Sequence, residues 1–76
     1  MGRTLNRHRR VRNLVRQHNW TPVNAELNDV LYWDMRRWCE KMFEPDTWDG
    51  SLHGPNGVKF VFKNPRDAML FTMRWV

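Results

Sequence analysis

The sequence predicts a small α+β fold, in which one long amphipathic helix packs on a small antiparallel sheet, with a short C-terminal helix and a basic, partly helical N-terminal arm. Three observations predict it: apolar residues at helical spacing over residues 21–43, alternation over residues 58–63, and a concentration of arginine before residue 20. The 76 residues have the length of one domain. We therefore divide the chain into a basic arm, residues 1–20, and a small α+β domain, residues 21–76.

The long helix is expected over residues 21–43. Thr21 is a suitable N-cap with Pro22 at the first helical position, and Asn24 is an alternative cap. Residues 44–46 contain a proline that ends the helix. At about 100° per residue, the apolar side chains form one stripe opposite a charged face. The stripe comprises Leu27, Leu31, Met35, Trp38 and Met42, broadened on one side by Tyr32, Cys39 and Phe43.

The clearest strand is residues 58–63. Val58, Phe60 and Phe62 alternate with other residues, as the side chains of a half-buried strand do. The Asn56-Gly57 pair directly precedes this run and predicts a hairpin turn. A short extended piece at residues 50–53 would be its partner, between two segments that we interpret as turns.

A short helix should follow the strand. Asn64 can cap it, Pro65 fits its first position, and Asp67 lies in the first turn near the positive helix end. Residues 72–76 alternate, so they are either a returning strand or a continuation of this helix. A continued helix would be apolar nearly all round and would have to be well buried.

Charge is distributed unevenly along the chain. Residues 1–20 carry +6 and residues 21–76 carry −1, which together give the net charge of +5. Val11, Leu14 and Val15 have helical spacing, so residues 4–17 are expected to form a basic helix that needs the body or a partner to stabilise it. The arginines of the arm are Arg3, Arg7, Arg9, Arg10, Arg12 and Arg16.

These six arginines are the candidate nucleic-acid-binding residues. Guanidinium groups form paired hydrogen bonds to phosphate and stack on bases, and a cluster without acidic neighbours is typical of proteins that bind RNA or DNA. Nothing in the pattern indicates sequence specificity. The alternatives are contact with an acidic protein surface and an arm that is only solvated.

Trp33 and Arg37 form a second candidate surface, on the charged face of the long helix. Arg37 is four residues beyond Trp33 and could stack over its ring, and the pair could contact a base or a protein partner. The favoured interpretation is that the arm or the C-terminus covers Trp33, because large aromatic residues usually supply core area in a small domain. Asp34 is expected to form an i,i+3 ion pair with Arg37.

The sequence predicts a protein that is not an enzyme and that holds no metal or cofactor. No nucleophile, base and acid stand at recognisable spacing, and His8, His18, His53 and Cys39 lack the spacing of metal ligands. Cys39 is expected to be a small buried hydrophobic residue. A single cysteine suits a reducing compartment, the cytoplasm, and no apolar run reaches the roughly 20 residues that a membrane span needs. A homo-oligomer or a protein partner would complete the core of so small a domain.

The C-terminal segment carries a motif, F-x-F-x-N-P-x-D-A-x-L-F-x-M-x-W, that runs from Phe60 to Trp75. It resembles the C-terminal signature of small uncharacterised proteins from tailed-phage genomes. Asn64 and Met73 replace the more usual Asp and Leu. The resemblance implies a phage accessory protein, acting in the host cytoplasm, and it implies no catalytic residues. The function expected is nucleic-acid binding, and the alternative is a protein–protein adaptor or inhibitor that uses Trp33 and Arg37 against host machinery or a virion component.

Overall fold

Three helices and a three-stranded antiparallel sheet make up the described part of the chain in this computed structural model, so the α+β class is confirmed. The structure describes the backbone of residues 2–25, 29–53 and 57–76, and their side chains except those of residues 2–8, 29, 30 and 53. The element order is α1 (Gly2–His18), β1 (Thr21–Ala25), α2 (Asp29–Met42), β2 (Trp48–His53), β3 (Gly57–Phe62) and α3 (Pro65–Trp75).

Strand β3 is the centre of the sheet, with β1 on one side and β2 on the other. Both neighbours are antiparallel to it. The predicted hairpin is confirmed, because β2 pairs with β3 from Trp48↔Phe62 to His53↔Gly57. Residues 54–56, which include Asn56 of the predicted turn, lie outside the described residues.

The predicted long helix is wrong at its N-terminal end. Residues 21–25 form strand β1, which pairs with β3 from Thr21↔Phe62 to Ala25↔Val58. Val23 and Ala25 pack against the core, whereas Pro22 and Asn24 are exposed. Pairing along an open edge of β3 thus prevails over the local capping signals of Thr21, Pro22 and Asn24, and proline is tolerated because β1 is an edge strand.

The helix that forms, α2, is 14 residues long. The side of α2 that packs on the sheet differs slightly from the predicted side. Its fully buried residues are Tyr32, Met35 and Cys39, whereas Met42 is 52% exposed. Leu27, which we placed on the stripe, lies outside the described residues. The side that we had treated as the flank of the stripe is therefore the centre of the packed face.

The main core lies between the sheet and the helices α2 and α3. Phe60 is at its centre, with its ring centroid 5.7 Å from that of Tyr32 and 4.7 Å from that of Phe71. Fully buried aromatic side chains dominate the energetics of such a small core. The buried cluster comprises Tyr32, Met35, Cys39, Val58, Phe60, Phe62, Ala68 and Phe71.

Helix α1 packs on the other face of the sheet, against β2 and β3. Val11 is 1% exposed and Val61, which points away from Phe60 and Phe62, is 0% exposed. The helix includes the range 4–17 in which the sequence predicts one. It ends where Asn19 adopts a positive φ of 57° and the Trp20 N–H donates to the Leu14 carbonyl at 3.1 Å, which turns the chain into β1.

Helix α3 begins where predicted, with Asn64 at the N-cap position, Pro65 in the first turn and Asp67 near the positive end, but the Asn64 side chain makes no capping hydrogen bond. It continues to Trp75, so residues 72–75 are helical. Ala68 and Phe71 are buried, but Met69 is 63% exposed and Met73 is 77% exposed. The expectation that a continued helix would be well buried is therefore wrong, and α3 shows an apolar face to solvent.

Candidate nucleic-acid interface

The arginines of α1 whose side chains are described fall into two groups. Arg9, Arg12 and Arg16 are exposed and lie on one face, because spacings of three and seven residues place them within about 60° around the helix axis. Arg9 and Arg16 are about 10 Å apart along that axis. The face lies opposite buried Val11, so the contact of α1 with the sheet turns these three arginines outward.

Arg10 alone makes up the second group, because its guanidinium contacts the sheet although its side chain is 61% exposed. Its Nε lies 2.9 Å from Oδ2 of Asp49, a carboxylate on β2 that is 9% exposed. About 100° of helical rotation separates Arg10 from Arg9, which is why neighbouring arginines have different surroundings. Within the described part of the chain, no other arginine of α1 forms an ion pair.

Asp49 joins α1 to α2 around the edge of β2. Its Oδ1 accepts a hydrogen bond from the Gly50 N–H at 2.8 Å and lies 3.5 Å from Nη1 of Arg36, a residue of α2. Arg10 reaches the same carboxylate from the opposite layer. One buried carboxylate thus receives charge-assisted contacts from both helix layers, which orients α1 on the sheet.

The carbonyl group of Gly50 is the second acceptor in this cluster. The Tyr32 hydroxyl donates to it at 2.9 Å and Nη1 of Arg36 donates to it at 3.1 Å. The Arg36 guanidinium also lies 4.9 Å from the ring centroid of Trp48. Helix α2 therefore satisfies a polar group of the edge strand β2, which would otherwise be available to another chain.

Sequence reasoning missed this cluster of Arg36, Asp49 and Gly50. We interpreted Trp48-Asp49-Gly50 as a turn, whereas it is the first half of β2. The available signal was the alternation of Trp48, Gly50 and Leu52, which the glycine weakens because glycine disfavours a strand. Without that strand, nothing placed a carboxylate beside Arg10.

Arg3 and Arg7 complete the predicted set. Both belong to α1, but their side chains lie outside the described part of the chain. The arginines with described surroundings are therefore Arg9, Arg10, Arg12 and Arg16. All four are exposed, and Arg10 differs from the other three in its contact with Asp49.

Trp33 and Arg37 are both on the surface of α2. Trp33 is 51% exposed, so the coverage by the arm or the C-terminus that we favoured is at best partial. The predicted ion pair of Asp34 with Arg37 is confirmed at 3.5 Å. The suggested stacking of Arg37 over Trp33 is not found among the cation–ring contacts of the described residues. The Trp33 ring instead meets Tyr32 edge-on at 5.0 Å.

Cys39 is a buried thiol in the main core, as expected. Burial raises its pKa to about 12, and the nearby Arg36 opposes this shift only in part. The thiol is therefore protonated, and a thiol rather than a thiolate is a poor nucleophile and a poor metal ligand. Among the residues that the structure describes, no three His, Cys, Asp or Glu side chains form a group that could hold a metal ion.

No helix in residues 2–25, 29–53 and 57–76 has the length and apolar character needed to cross a bilayer. Comparisons with protein-family models, with curated proteins and with solved structures find no match to this chain.

Proposed function

We propose that this chain is a non-enzymatic nucleic-acid-binding protein, of the phage accessory type that its C-terminal motif resembles, and that α1 is its binding element. The observation that carries the proposal is the exposed face formed by Arg9, Arg12 and Arg16. These three guanidinium groups have no carboxylate partner in the described part of the chain. Their charge is therefore available to a polyanion.

The packing of α1 on the sheet supports this role. Val11 packs α1 on the sheet and Arg10 contacts Asp49, so the three other exposed arginines are presented together on the outer side of α1. Pre-organisation lowers the entropy lost when phosphates are bound. Arg3 and Arg7 remain part of the proposal through their charge alone, because they add two cationic residues to the same helix. The charge pattern does not distinguish RNA from DNA, and the host cytoplasm is the expected location.

The test is a titration of fluorescent single-stranded and duplex RNA and DNA with the purified chain, at several salt concentrations. Each phosphate contact contributes about 0.7 to 0.9 to the slope of log K against log salt. Replacing Arg9, Arg12 and Arg16 with Gln should therefore reduce that slope by about two to three and weaken binding at least about tenfold at low salt.

A control of matched charge separates a local site from general electrostatic attraction. Lys41, Arg66 and Arg74 are exposed and belong to α2 and α3, which pack on the opposite face of the sheet from α1, so their triple replacement with Gln removes the same charge. We expect the control to bind nearly as the wild type does. Equal losses in the two triple variants, or wild-type binding that does not respond to salt, would refute the proposal.

A second candidate function is supported by Trp33. An exposed tryptophan is a frequent anchor of protein interfaces, and this one is 51% exposed beside the surface pair of Asp34 and Arg37. The chain would then be a protein–protein adaptor or inhibitor acting on host machinery or a virion component. Its test is a pull-down treated with nuclease, in which a stoichiometric complex should survive for the wild type and be lost for Trp33→Ala.

A further inference from the structure

The outer face of α3 carries an apolar stripe that the fold does not cover. Met69 is 63% exposed, Leu70 is 41% exposed and Met73 is 77% exposed, and all three lie on the side opposite buried Ala68 and Phe71. Contiguous exposed apolar residues on one helix are often interaction surfaces. This set of Met69, Leu70 and Met73 is called the α3 stripe below.

The ends of α3 carry opposite charges on one flank of the stripe. Asp67 is in the first turn and Arg74 is in the last turn. Seven residues separate them, and the rotation over seven residues is about 20° short of two full turns, so they lie on the same side of the helix. They are about 10 Å apart along its axis. The midpoint between them falls between residues 70 and 71, at the centre of the α3 stripe.

This arrangement is self-complementary under a two-fold rotation. A two-fold axis perpendicular to α3, near residues 70 and 71, places two copies of the helix antiparallel and brings each α3 stripe onto the other. The shared flank stays on the same side, so Asp67 of one copy faces Arg74 of the other, and the reverse contact forms as well. A parallel two-fold arrangement would instead place the two flanks on opposite sides of the interface, so that Asp67 of one copy and Arg74 of the other would not meet.

We propose that a second copy of this chain covers the α3 stripe, and that the protein forms a two-fold symmetric dimer through antiparallel α3 helices closed by two Asp67–Arg74 pairs. Methionine suits such a contact because its flexible side chain adapts to an opposing surface. The inference does not depend on nucleic-acid binding, since α1 lies on the opposite face of the sheet and stays exposed in the dimer.

The size of the stripe sets the expected strength of the dimer. A patch of this kind covers on the order of a few hundred Å² per copy, which is below the standard size of a tight interface. We therefore expect a dissociation constant of about 1 to 100 µM. Sedimentation velocity of the full chain, freed of nucleic acid by high salt and nuclease, should show monomer at low concentration and dimer at high concentration.

Two substitutions test the position of the interface. Met73→Glu places a charge in the centre of the stripe at a solvent-exposed site, so it should leave the fold intact and weaken dimerisation at least about thirtyfold. Trp33→Glu is the matched control, because Trp33 is a half-exposed apolar residue on α2, and it should leave the dissociation constant unchanged. Circular dichroism of each variant reports whether it is folded.

A charge-reversal cycle tests the orientation. Asp67→Lys or Arg74→Glu alone creates two like-charge contacts in the dimer, and each should weaken it about tenfold. The double variant restores opposite charges and should return the dissociation constant to within about threefold of the wild-type value. A wild-type chain that stays monomeric to about 1 mM, a mass that grows beyond two copies, or a double variant no better than the singles would overturn the proposal.

Discussion

The two faces of the sheet are covered in different ways. The aromatic face, formed by Val58, Phe60 and Phe62, is packed by two helices and surrounded by ring contacts. The opposite face, which carries Asp49, Ser51 and Val61, is covered by α1 among the described elements. On the first face an aromatic cluster holds the layers together, whereas on the second the described contacts of α1 include buried Val11 and the ion pair of Arg10 with Asp49.

The two faces therefore differ in what they contribute: the aromatic face supplies most of the stability, and the α1 face carries the candidate binding residues. Val11 is the single residue of α1 that is fully buried among those with described side chains, and the Ser51 hydroxyl beneath the helix is buried without a hydrogen-bond partner in the described part of the chain. Such packing stabilises less than an aromatic core does. The helix that carries the exposed arginines is therefore the element expected to open first, before the aromatic face unfolds.

The largest effect is expected from Phe60→Ala. Phe60 is 0% exposed and contacts rings from both α2 and α3, so its loss leaves a cavity at the centre of the aromatic face. Phe→Ala changes in cores cost about 3–5 kcal/mol, most of the stability of a domain this small. Thermal unfolding followed by circular dichroism measures it. A loss below about 1 kcal/mol would mean that the aromatic face does not dominate stability.

Gly50→Ala should have the next largest effect. A Cβ atom at Gly50 would lie 2.6 Å from Cε2 of the Phe60 ring, which is closer than carbon atoms approach in folded proteins. The ring must shift, at a cost of about 1–3 kcal/mol for overpacking. Chemical denaturation of Gly50→Ala, and of the same change in a Phe60→Leu background, measures the clash. The second background should show a smaller penalty for the alanine, and an equal penalty would exclude the ring as its cause.

The aromatic face is also the part of the fold that the sequence predicted best. Alternation identified Val58, Phe60 and Phe62 because every second residue of β3 faces the aromatic core, although Val61 is buried on the other face. The start of α3 was found from Asn64 and Pro65, which are local signals. Strand β1 was missed because Thr21 and Pro22 also suit a helix start. Only the non-local pairing with β3 decides between the two structures, and no local pattern reports that pairing.

The sequence predicted which arginines belong to the candidate site, but not which of them pair with a carboxylate of the body. The pattern identified the arginines of α1, but it could not show that Arg10 pairs with Asp49 while Arg9, Arg12 and Arg16 have no carboxylate partner among the described residues. That distinction depends on which face of α1 meets the sheet. The exposed stripe on α3 escaped prediction for a similar reason, since an apolar helix in so small a chain was expected to be buried.

Asp49→Asn tests the attachment of α1 with a smaller effect. The substitution keeps the size of the side chain and removes the charge that Arg10 and Arg36 share, so we expect a loss of about 1–2 kcal/mol. Hydrogen exchange should accelerate in α1 more than in β3. Arg37→Ala is the control, because its exposed pair with Asp34 contributes less than about 0.5 kcal/mol. Equal acceleration in both elements would mean that α1 does not open on its own.

The ionisation of Cys39 has the smallest expected effect on stability at neutral pH and a measurable effect at alkaline pH. Its pKa is raised by burial from 9.0 to about 12, so the folded state keeps a proton that the unfolded state loses. The native protein is therefore undisturbed below pH 9 and loses stability progressively as the pH rises from 9 toward 12. Denaturant midpoints measured across this range should fall for the wild type and fall less for Cys39→Ala. Parallel curves would assign the alkaline loss to other groups.

The same thiol distinguishes opening of the two faces. Cys39 lies under the aromatic face, so a thiol reagent at pH 8 reaches it only when that face opens. Asp49→Asn should accelerate hydrogen exchange in α1 and leave the labelling rate of Cys39 within about threefold of the wild-type rate. Gly50→Ala should raise the labelling rate of Cys39 about tenfold or more, because each 1.4 kcal/mol of lost stability increases the open population about tenfold. If Cys39 is labelled as fast in Asp49→Asn as in Gly50→Ala, the two faces open together, and α1 cannot detach from the sheet without unfolding of the core.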